Sequence, residues 1–201
     1  MKINRSVDVL KYALLALLLC APFNVAWAQY ELDNDKSSVS FVSIKNNSVA
    51  ETHSFGSLVG FINSEGKVQV GIDLDSVETL IDIRNERMRE MLFETAKFPA
   101  ANISAQVDKA ILQEAAEGGR VSMDVELTVS LHGVEQTLSA SLVAIGEEGG
   151  GLRVFTTSPV LLNVSGFGLQ AGVEALREIA GLKAISNAVP ITVHLVFSPT
   201  G

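Results

Sequence analysis

Three histidines, His53, His132 and His194, are the side chains that could transfer protons near neutral pH or bind a metal ion. None of them lies at a metal-ligand spacing such as H-x-x-x-H with a carboxylate partner, so we expect no metal site. His132 precedes a glycine in a predicted turn, and His194 alternates with Val193 and Leu195 in a predicted strand. His53, in a segment that we interpret as irregular, is therefore the histidine that we expect to contact a ligand.

Nucleophilic chemistry has no recognisable motif in this sequence. The serines are numerous, but no G-x-S-x-G elbow stands between a strand and a helix, and V-S-G-F-G at 164–168 is not that motif. The glycine-rich stretch G-E-E-G-G-G at 146–151 has no following lysine, and its glutamates would repel phosphate. We therefore expect a protein that is not an enzyme and has no catalytic residues.

A charged stretch at 82–90 brings three cations, Arg84, Arg87 and Arg89, into an otherwise acidic chain. One interpretation is a solvated helix with ion pairs between neighbouring turns. The other is that Arg84 or Arg87 binds a ligand's polar headgroup, such as a pyrophosphate or a carbonyl oxygen. The planar guanidinium group of arginine can donate two parallel hydrogen bonds to a pair of oxygen atoms.

The first 28 residues have the pattern of a removable export signal. Basic residues precede an apolar run from Tyr12 to Pro22, and the small-x-small triplet Ala26-Trp27-Ala28 follows. Lipidation at Cys20 is disfavoured because Leu19 stands where a small residue is expected. We expect a signal peptide at 1–28 and a mature domain at 29–201 in the periplasm, not spanning the membrane.

Cleavage after Ala28 would change the formal charge from −8 to −10 and would remove Cys20, the single cysteine. A strongly acidic surface repels nucleic acid and anionic headgroups, so we expect no nucleic-acid partner. Without cysteine there is neither a disulfide framework nor thiol chemistry. The remaining 173 residues suit one domain with a core of its own.

The dominant hydrophobic period of this domain is two, which predicts β-strands. In 121–131, apolar residues occupy every odd position and polar residues every even one, so one face is buried and one is solvated. The other predicted strands are 39–46, 56–63, 67–74, 102–112, 137–145, 152–164 and 190–197.

Short turn signals between these strands favour hairpins, and two stretches, about 84–95 and 172–184, fit short amphipathic helices. About eight antiparallel strands must hide their edges, and closure into a barrel does so completely. The prediction is an all-β fold, an extended antiparallel barrel of about eight strands with two short helices. A barrel of this size either fills its interior with side chains or holds one small ligand.

Five segments in order resemble the YceI-like family of periplasmic polyisoprenoid-binding proteins: YELDNDKSSVSFVSIKN, FGSLVGFI, SVETLIDIRNERMREMLFETAKFPAANISAQV, VELTVSLHGVEQTLSASLVAI, and VSGFGLQ leading to VPITVHLVF. The resemblance implies a lipocalin-like barrel whose lumen takes up a polyprenyl chain or an isoprenoid quinone, with no cofactor, no catalytic residue and a possible homodimer. Two segments depart from the family pattern, 46–57 and 172–188, and both could remodel the mouth of the cavity.

The sequence thus predicts a protein that sequesters or carries an apolar isoprenoid-type lipid. The alternative is a barrel with a filled core that acts as an interaction or stress-response protein, and a third possibility is an enzyme acting on such a lipid. Arg84 and His53 are the predicted headgroup contacts. The predicted apolar wall consists of Phe41, Leu58, Phe61, Leu92, Phe93, Phe98, Val125, Leu127 and Phe167.

Overall fold

A computed structural model describes residues 28–200 of the chain. The predicted export signal lies outside these residues apart from Ala28, so it stays a prediction. Among the described residues, none of the helices has the length and apolar character needed to cross a bilayer.

Antiparallel strands form most of the domain, as the period of two predicts. Their bounds are β1 Ala28–Leu32, β2 Ser38–Lys45, β3 Val49–Phe55, β4 Leu58–Asn63, β5 Lys67–Asp73, β6 Val77–Glu78, β7 Ala100–Gln106, β8 Arg120–Leu131, β9 Val134–Gly146, β10 Leu152–Thr156, β11 Val160–Asn163 and β12 Ala188–Pro199.

Eight of these strands close into a barrel, which confirms the predicted fold class. The ring runs β1-β4-β5-β7-β8-β9-β10-β12 and returns from β12 to β1. Closure occurs where Leu32 pairs with Phe197 and Tyr30 pairs with Pro199. A closed ring leaves no unpaired strand edge within it.

The long strand β12 also joins the ring to an extension. Its C-terminal half pairs with β1 and β10, and its N-terminal half pairs with β2 and β11. Beyond β2 the sheet continues through β3 to the short β6. One end of the barrel is therefore prolonged by the β2–β3 hairpin.

Two helices lie near the positions that the sequence predicts. Helix α1, Asp82–Arg87, runs directly into a π-helical segment, Met88–Phe93. Helix α3, Gln170–Ile179, packs against that segment.

A third helix, α2, spans Lys109–Ala116 and corrects the strand predicted at 102–112. Strand β7 ends at Gln106, and the Asp108 carboxylate accepts a hydrogen bond from the Ala110 amide at 2.8 Å. This N-cap satisfies an amide at the start of the helix, and Leu112 and Ala115 anchor its inner face. The apolar residues of 102–112 therefore belong to two elements, the strand β7 and the helix α2.

Two further strand assignments are corrected by the structure. The segment interpreted as irregular, 46–57, contains the regular strand β3, so His53 lies on a strand. The segment predicted as one strand, 152–164, is broken between β10 and β11 at 157–159, where Pro159 provides no amide for the sheet.

Candidate ligand-binding cavity

The barrel encloses an apolar cavity of about 240 Å³. Along β8 its wall takes every second side chain from Met123 to Leu131, the face that the alternation in 121–131 predicts. Eight residue steps at 3.3 Å each make the wall about 26 Å long along this strand. The cavity is thus elongated, and a filled core would leave no such space.

The wall is apolar apart from a single threonine, Thr156. At one end, the cavity is bounded by Leu112 of α2, and at the other by Leu92 and Phe93 of the π-helical segment. The wider turn of a π-helix changes which side chains face inward, and such segments occur frequently at functional sites. Water gains few hydrogen bonds in such a space, so it suits an apolar occupant.

Five of the predicted wall residues line this cavity: Phe41, Leu92, Phe93, Val125 and Leu127. They come from β2, the π-helical segment and β8, which are far apart in the sequence. The structure brings their side chains into one continuous apolar surface.

The other four predicted wall residues lie elsewhere. Leu58 and Phe167 are buried in the hydrophobic core outside the cavity wall. Phe61 points outward, because its neighbour Ile62 faces the cavity, and it lines a depression on the outer surface. Phe98 packs on the His132 ring with 4.4 Å between ring centroids.

Many wall residues were not singled out from the sequence. Apart from Phe55, which lies in the segment interpreted as irregular, they lie at alternate positions of predicted strands, so the period of two is the signal for them. Among them are Phe55, Ile103, Met123, Leu138, Ile191 and Leu195.

The hairpin of β2 and β3 changes from apolar to polar along its inner face. Phe55 pairs with Val39, and both belong to the cavity wall. One step further along the same face, Phe41 pairs with His53. The following pair is Ser43 with Glu51, so the apolar wall ends in polar groups at this end of the barrel.

His53 is not among the residues that line the cavity, but it pairs with the wall residue Phe41 on the same face of the hairpin and is 4 % exposed. Its ring lies 5.1 Å from the ring of Phe41, centroid to centroid, and its Nε2 is 2.8 Å from the Ser43 hydroxyl. Its Nδ1 is buried and has no hydrogen-bond partner among residues 28–200. Burial lowers the pKa of His53 below its ordinary value, and the positive charge of Arg84 lowers this pKa further. The ring is therefore neutral at pH 7.

Arg84 reaches the same end of the barrel from α1. Its Nη1 donates to a carboxylate oxygen of Glu51, and its Nη2 donates to the backbone carbonyl of Thr79. The second Glu51 oxygen binds Lys45 Nζ at 2.7 Å. Hydrogen bonds from Lys45 and Arg84 lower the pKa of Glu51, which keeps it ionised. Within the described chain, the buried Arg84 Nε has no hydrogen-bond partner.

Both segments that depart from the family pattern meet at this end. The Asn46 amide donates to the Ala184 carbonyl at 2.9 Å, and the Lys183 amide donates to Asn46 Oδ1 at 2.8 Å. The segment after α3 thus braces the tip of the β2–β3 hairpin. Their combined effect is to shape the polar end of the cavity.

The other two histidines lie away from the cavity wall. His132 faces Glu94 at 3.4 Å, and His194 is hydrogen-bonded to Arg153 at 2.7 Å. In residues 28–200, no three histidine, cysteine or carboxylate side chains converge in a way that could hold a metal ion.

A closed eight-stranded antiparallel barrel with an elongated apolar interior defines the class of lipocalin-like barrels. Within that class, the model of the YceI-like domain matches residues 30–197. The chain belongs to this family, as its sequence pattern predicts.

Solved structures share this fold. A polyisoprenoid-binding domain from Saccharophagus degradans, implicated in plant cell wall breakdown, is 38% identical over 87% of this chain and 100% of its own, with a TM-score of 0.83. Burkholderia cenocepacia BcnA shares the fold at 19% identity and a TM-score of 0.64, over 82% of this chain and 98% of its own. The Campylobacter jejuni YCEI protein, at 13% identity, covers 74% of this chain and 84% of its own, with a TM-score of 0.50. No curated protein matches the chain significantly.

Proposed function

We propose that this protein is a periplasmic binding protein that sequesters or carries an isoprenoid-type lipid, a polyprenyl chain or an isoprenoid quinone, inside the barrel. The observation that supports this most directly is the elongated cavity, whose wall is apolar apart from Thr156. The similarity to a polyisoprenoid-binding domain at 38% identity supports the chemical class of the ligand. The predicted export signal supports the location.

The energetics of such a ligand fit an apolar cavity. Each buried methylene contributes about 0.8 kcal/mol, so ten of them contribute about 8 kcal/mol. Loss of translational and rotational freedom opposes this by roughly 4 to 15 kcal/mol, so a long hydrocarbon chain is needed for tight binding. A long prenyl chain supplies that surface without needing any polar contact along the wall.

Binding without catalysis is part of the proposal. Apart from Thr156, the residues that line the cavity are hydrocarbon, and the polar groups of the β2–β3 hairpin beyond it are paired except for His53 Nδ1 and Arg84 Nε. We expect ligand release in unchanged chemical form. A homodimer, implied by the family resemblance, is an expectation that light scattering of the purified protein would test.

The experiment is native mass spectrometry of protein purified from the envelope of its host. Wild-type protein should retain a lipid-sized mass, which extraction and fragmentation would identify as isoprenoid. Ala140→Phe would fill the cavity, because Ala140 is buried and lines it, and should abolish the bound mass. Its matched control is Ser139→Phe, one residue away on the exposed face of β9. A folded wild-type protein without any bound lipid would contradict the proposal.

A further inference from the structure

We infer that the polar end of the cavity is a headgroup site for one uncharged oxygen acceptor, a carbonyl or hydroxyl oxygen, held by His53 Nδ1 and Arg84 Nε, and that it discriminates against a diphosphate. This inference rests on the proposed function and specifies which end of the lipid lies where. It concerns the headgroup alone and assigns a role to two buried atoms that the fold leaves unpaired.

The first argument is the state of His53. A buried polar atom without a partner costs about 1 to 3 kcal/mol, so a protein rarely keeps one without a reason. His53 is 4 % exposed, and its ring packs against Phe41, the last wall residue on this strand face. When the Ser43 hydroxyl donates to Nε2, the proton lies on Nδ1, which becomes a donor at the end of the apolar wall.

The second argument is the unused donor of Arg84. A guanidinium binds phosphate best through two parallel N–H groups. Both terminal nitrogens of Arg84 already donate, one to Glu51 and one to the Thr79 carbonyl. Its Nε–H is buried and unpaired, so it offers a single hydrogen bond and no bidentate fork.

The third argument is charge. The Glu51 carboxylate lies between Lys45 and Arg84 and neutralises one of these two cations. His53 adds no charge, because burial keeps its ring neutral at pH 7. A diphosphate would bring several negative charges next to the Glu51 carboxylate and would lose its hydration, whereas an uncharged oxygen needs one or two donors.

The test compares four probes with the same fifteen-carbon tail on delipidated protein: farnesol, a benzoquinone bearing that tail, farnesyl diphosphate and the unsubstituted hydrocarbon. Calorimetric titration suits it, because the single tryptophan, Trp27, lies in the predicted signal peptide and gives no fluorescence signal in the mature domain. We expect the alcohol or the quinone to bind about tenfold tighter than the hydrocarbon, and the diphosphate to bind more weakly than the alcohol. The tighter of the two uncharged probes identifies the oxygen as hydroxyl or carbonyl.

Variants assign the effect to the site. His53→Leu should remove the tenfold gain while leaving hydrocarbon binding unchanged, and His53→Asn, whose amide can replace Nδ1, should retain part of it. His194→Leu is the matched control, because its neighbours Val193 and Leu195 line the cavity and His194 therefore faces the opposite side of β12, where it is hydrogen-bonded to Arg153. The headgroup site would be overturned if the diphosphate bound more tightly than the alcohol, or if His53→Leu lowered the affinity for all four probes equally. If the wild-type protein bound none of the four probes, the hydrocarbon included, the result would instead contradict the proposed function.

Discussion

Gly172 of α3 lies directly on the backbone of Leu92, one of the cavity-lining residues of the π-helical segment. A Cβ atom added at Gly172 would come within 2.8 Å of the Leu92 Cα, a distance that real Cβ atoms do not reach. Only a residue without a side chain lets the two helical segments approach this closely. This contact fixes the position of Leu92 and Phe93 at the end of the cavity.

Gly172→Ala should therefore displace α3 from the π-helical segment. We expect a loss of roughly 1 to 3 kcal/mol in the free energy of unfolding, the usual range for overpacking, and faster release of the bound lipid. Chemical denaturation and a lipid-release assay would measure both. Glu178→Ala, on an exposed position of the same helix, should change neither, and an unaltered release rate in Gly172→Ala would show that this packing does not control the cavity end.

A second prediction concerns the buried amide of Asn85. Its Oδ1 accepts from the Thr79 amide at 2.8 Å and also from the Thr79 hydroxyl, and both residues are buried. Asn85→Leu would leave the Thr79 amide without an acceptor and the Thr79 hydroxyl with only the Ile81 carbonyl at 3.3 Å, at a cost of about 1 to 3 kcal/mol. Thermal denaturation should show a Tm lower by roughly 2 to 12 °C. Asn102→Leu, at an exposed position of β7, is the comparison, and similar Tm changes in both variants would refute the role of the Thr79–Asn85 network.

A third prediction follows from the lowered pKa of His53. The unfolded chain binds a proton near the ordinary value of 6.5, whereas burial opposes protonation of the folded ring. The unfolded state thus binds more protons below pH 6.5, and stability falls as the pH decreases from 6.5 towards the lower folded pKa.

Urea denaturation between pH 7.5 and pH 5 would measure this slope. His53→Leu should reduce this slope. Glu51, whose pKa is lowered by Lys45 and Arg84, loses its stabilising charge at a more acidic pH, below its ordinary value of 4.5. A slope that persists unchanged in His53→Leu would mean that another group titrates in this range.

The fourth prediction concerns the backbone at Leu80, whose φ of 64° lies in the left-handed region. This conformation costs a non-glycine residue about 1 to 2 kcal/mol, and Leu80 is 88% exposed, so its side chain recovers little by packing. Leu80→Gly should remain neutral or gain up to about 1 kcal/mol, after the entropy of glycine in the unfolded chain is subtracted. Leu161→Gly, at a similarly exposed position within β11, should be destabilising. A large loss in Leu80→Gly would show that the leucine side chain has a structural role.

A fifth prediction tests the charge balance at the polar end of the cavity. Glu51→Gln would leave Lys45 and Arg84 without their shared carboxylate partner. We expect this variant to bind farnesyl diphosphate several-fold more tightly than wild type while its affinity for farnesol changes little. Glu31→Gln, on the outer surface of β1, is the control. Unchanged diphosphate affinity in Glu51→Gln would indicate that Glu51 does not set the preference for uncharged headgroups.

The sequence predicted the barrel because strands with one buried face repeat every second residue, and 121–131 shows this most clearly. It predicted α1 and α3 from their apolar spacing. It did not separate α2 from β7, because the apolar residues of 102–112 fit either period until the N-cap at Asp108 is recognised.

The site was only partly predictable for a related reason. Period two identifies the inner face of each strand, but whether an inward side chain lines a cavity or packs against a neighbour depends on barrel closure. The aromatic character of Phe61 and Phe98 predicts them as wall residues, but the register of β4 turns Phe61 outward, and Phe98 lies in the loop before β7, against His132. The sequence favours His53 as the ligand-contacting histidine, but it does not predict that His53 is buried. The strand β3 that buries it contains several polar residues, so its hydrophobic period is weak.

The closure of the ring between β1 and β12 has a consequence for how a bound lipid would exchange under the proposed function. Where neighbouring strands are hydrogen-bonded to each other, entry between them would break backbone hydrogen bonds, which are costly to leave unmade. The lipid would therefore enter at an end of the barrel, past Leu112 or past Leu92 and Phe93.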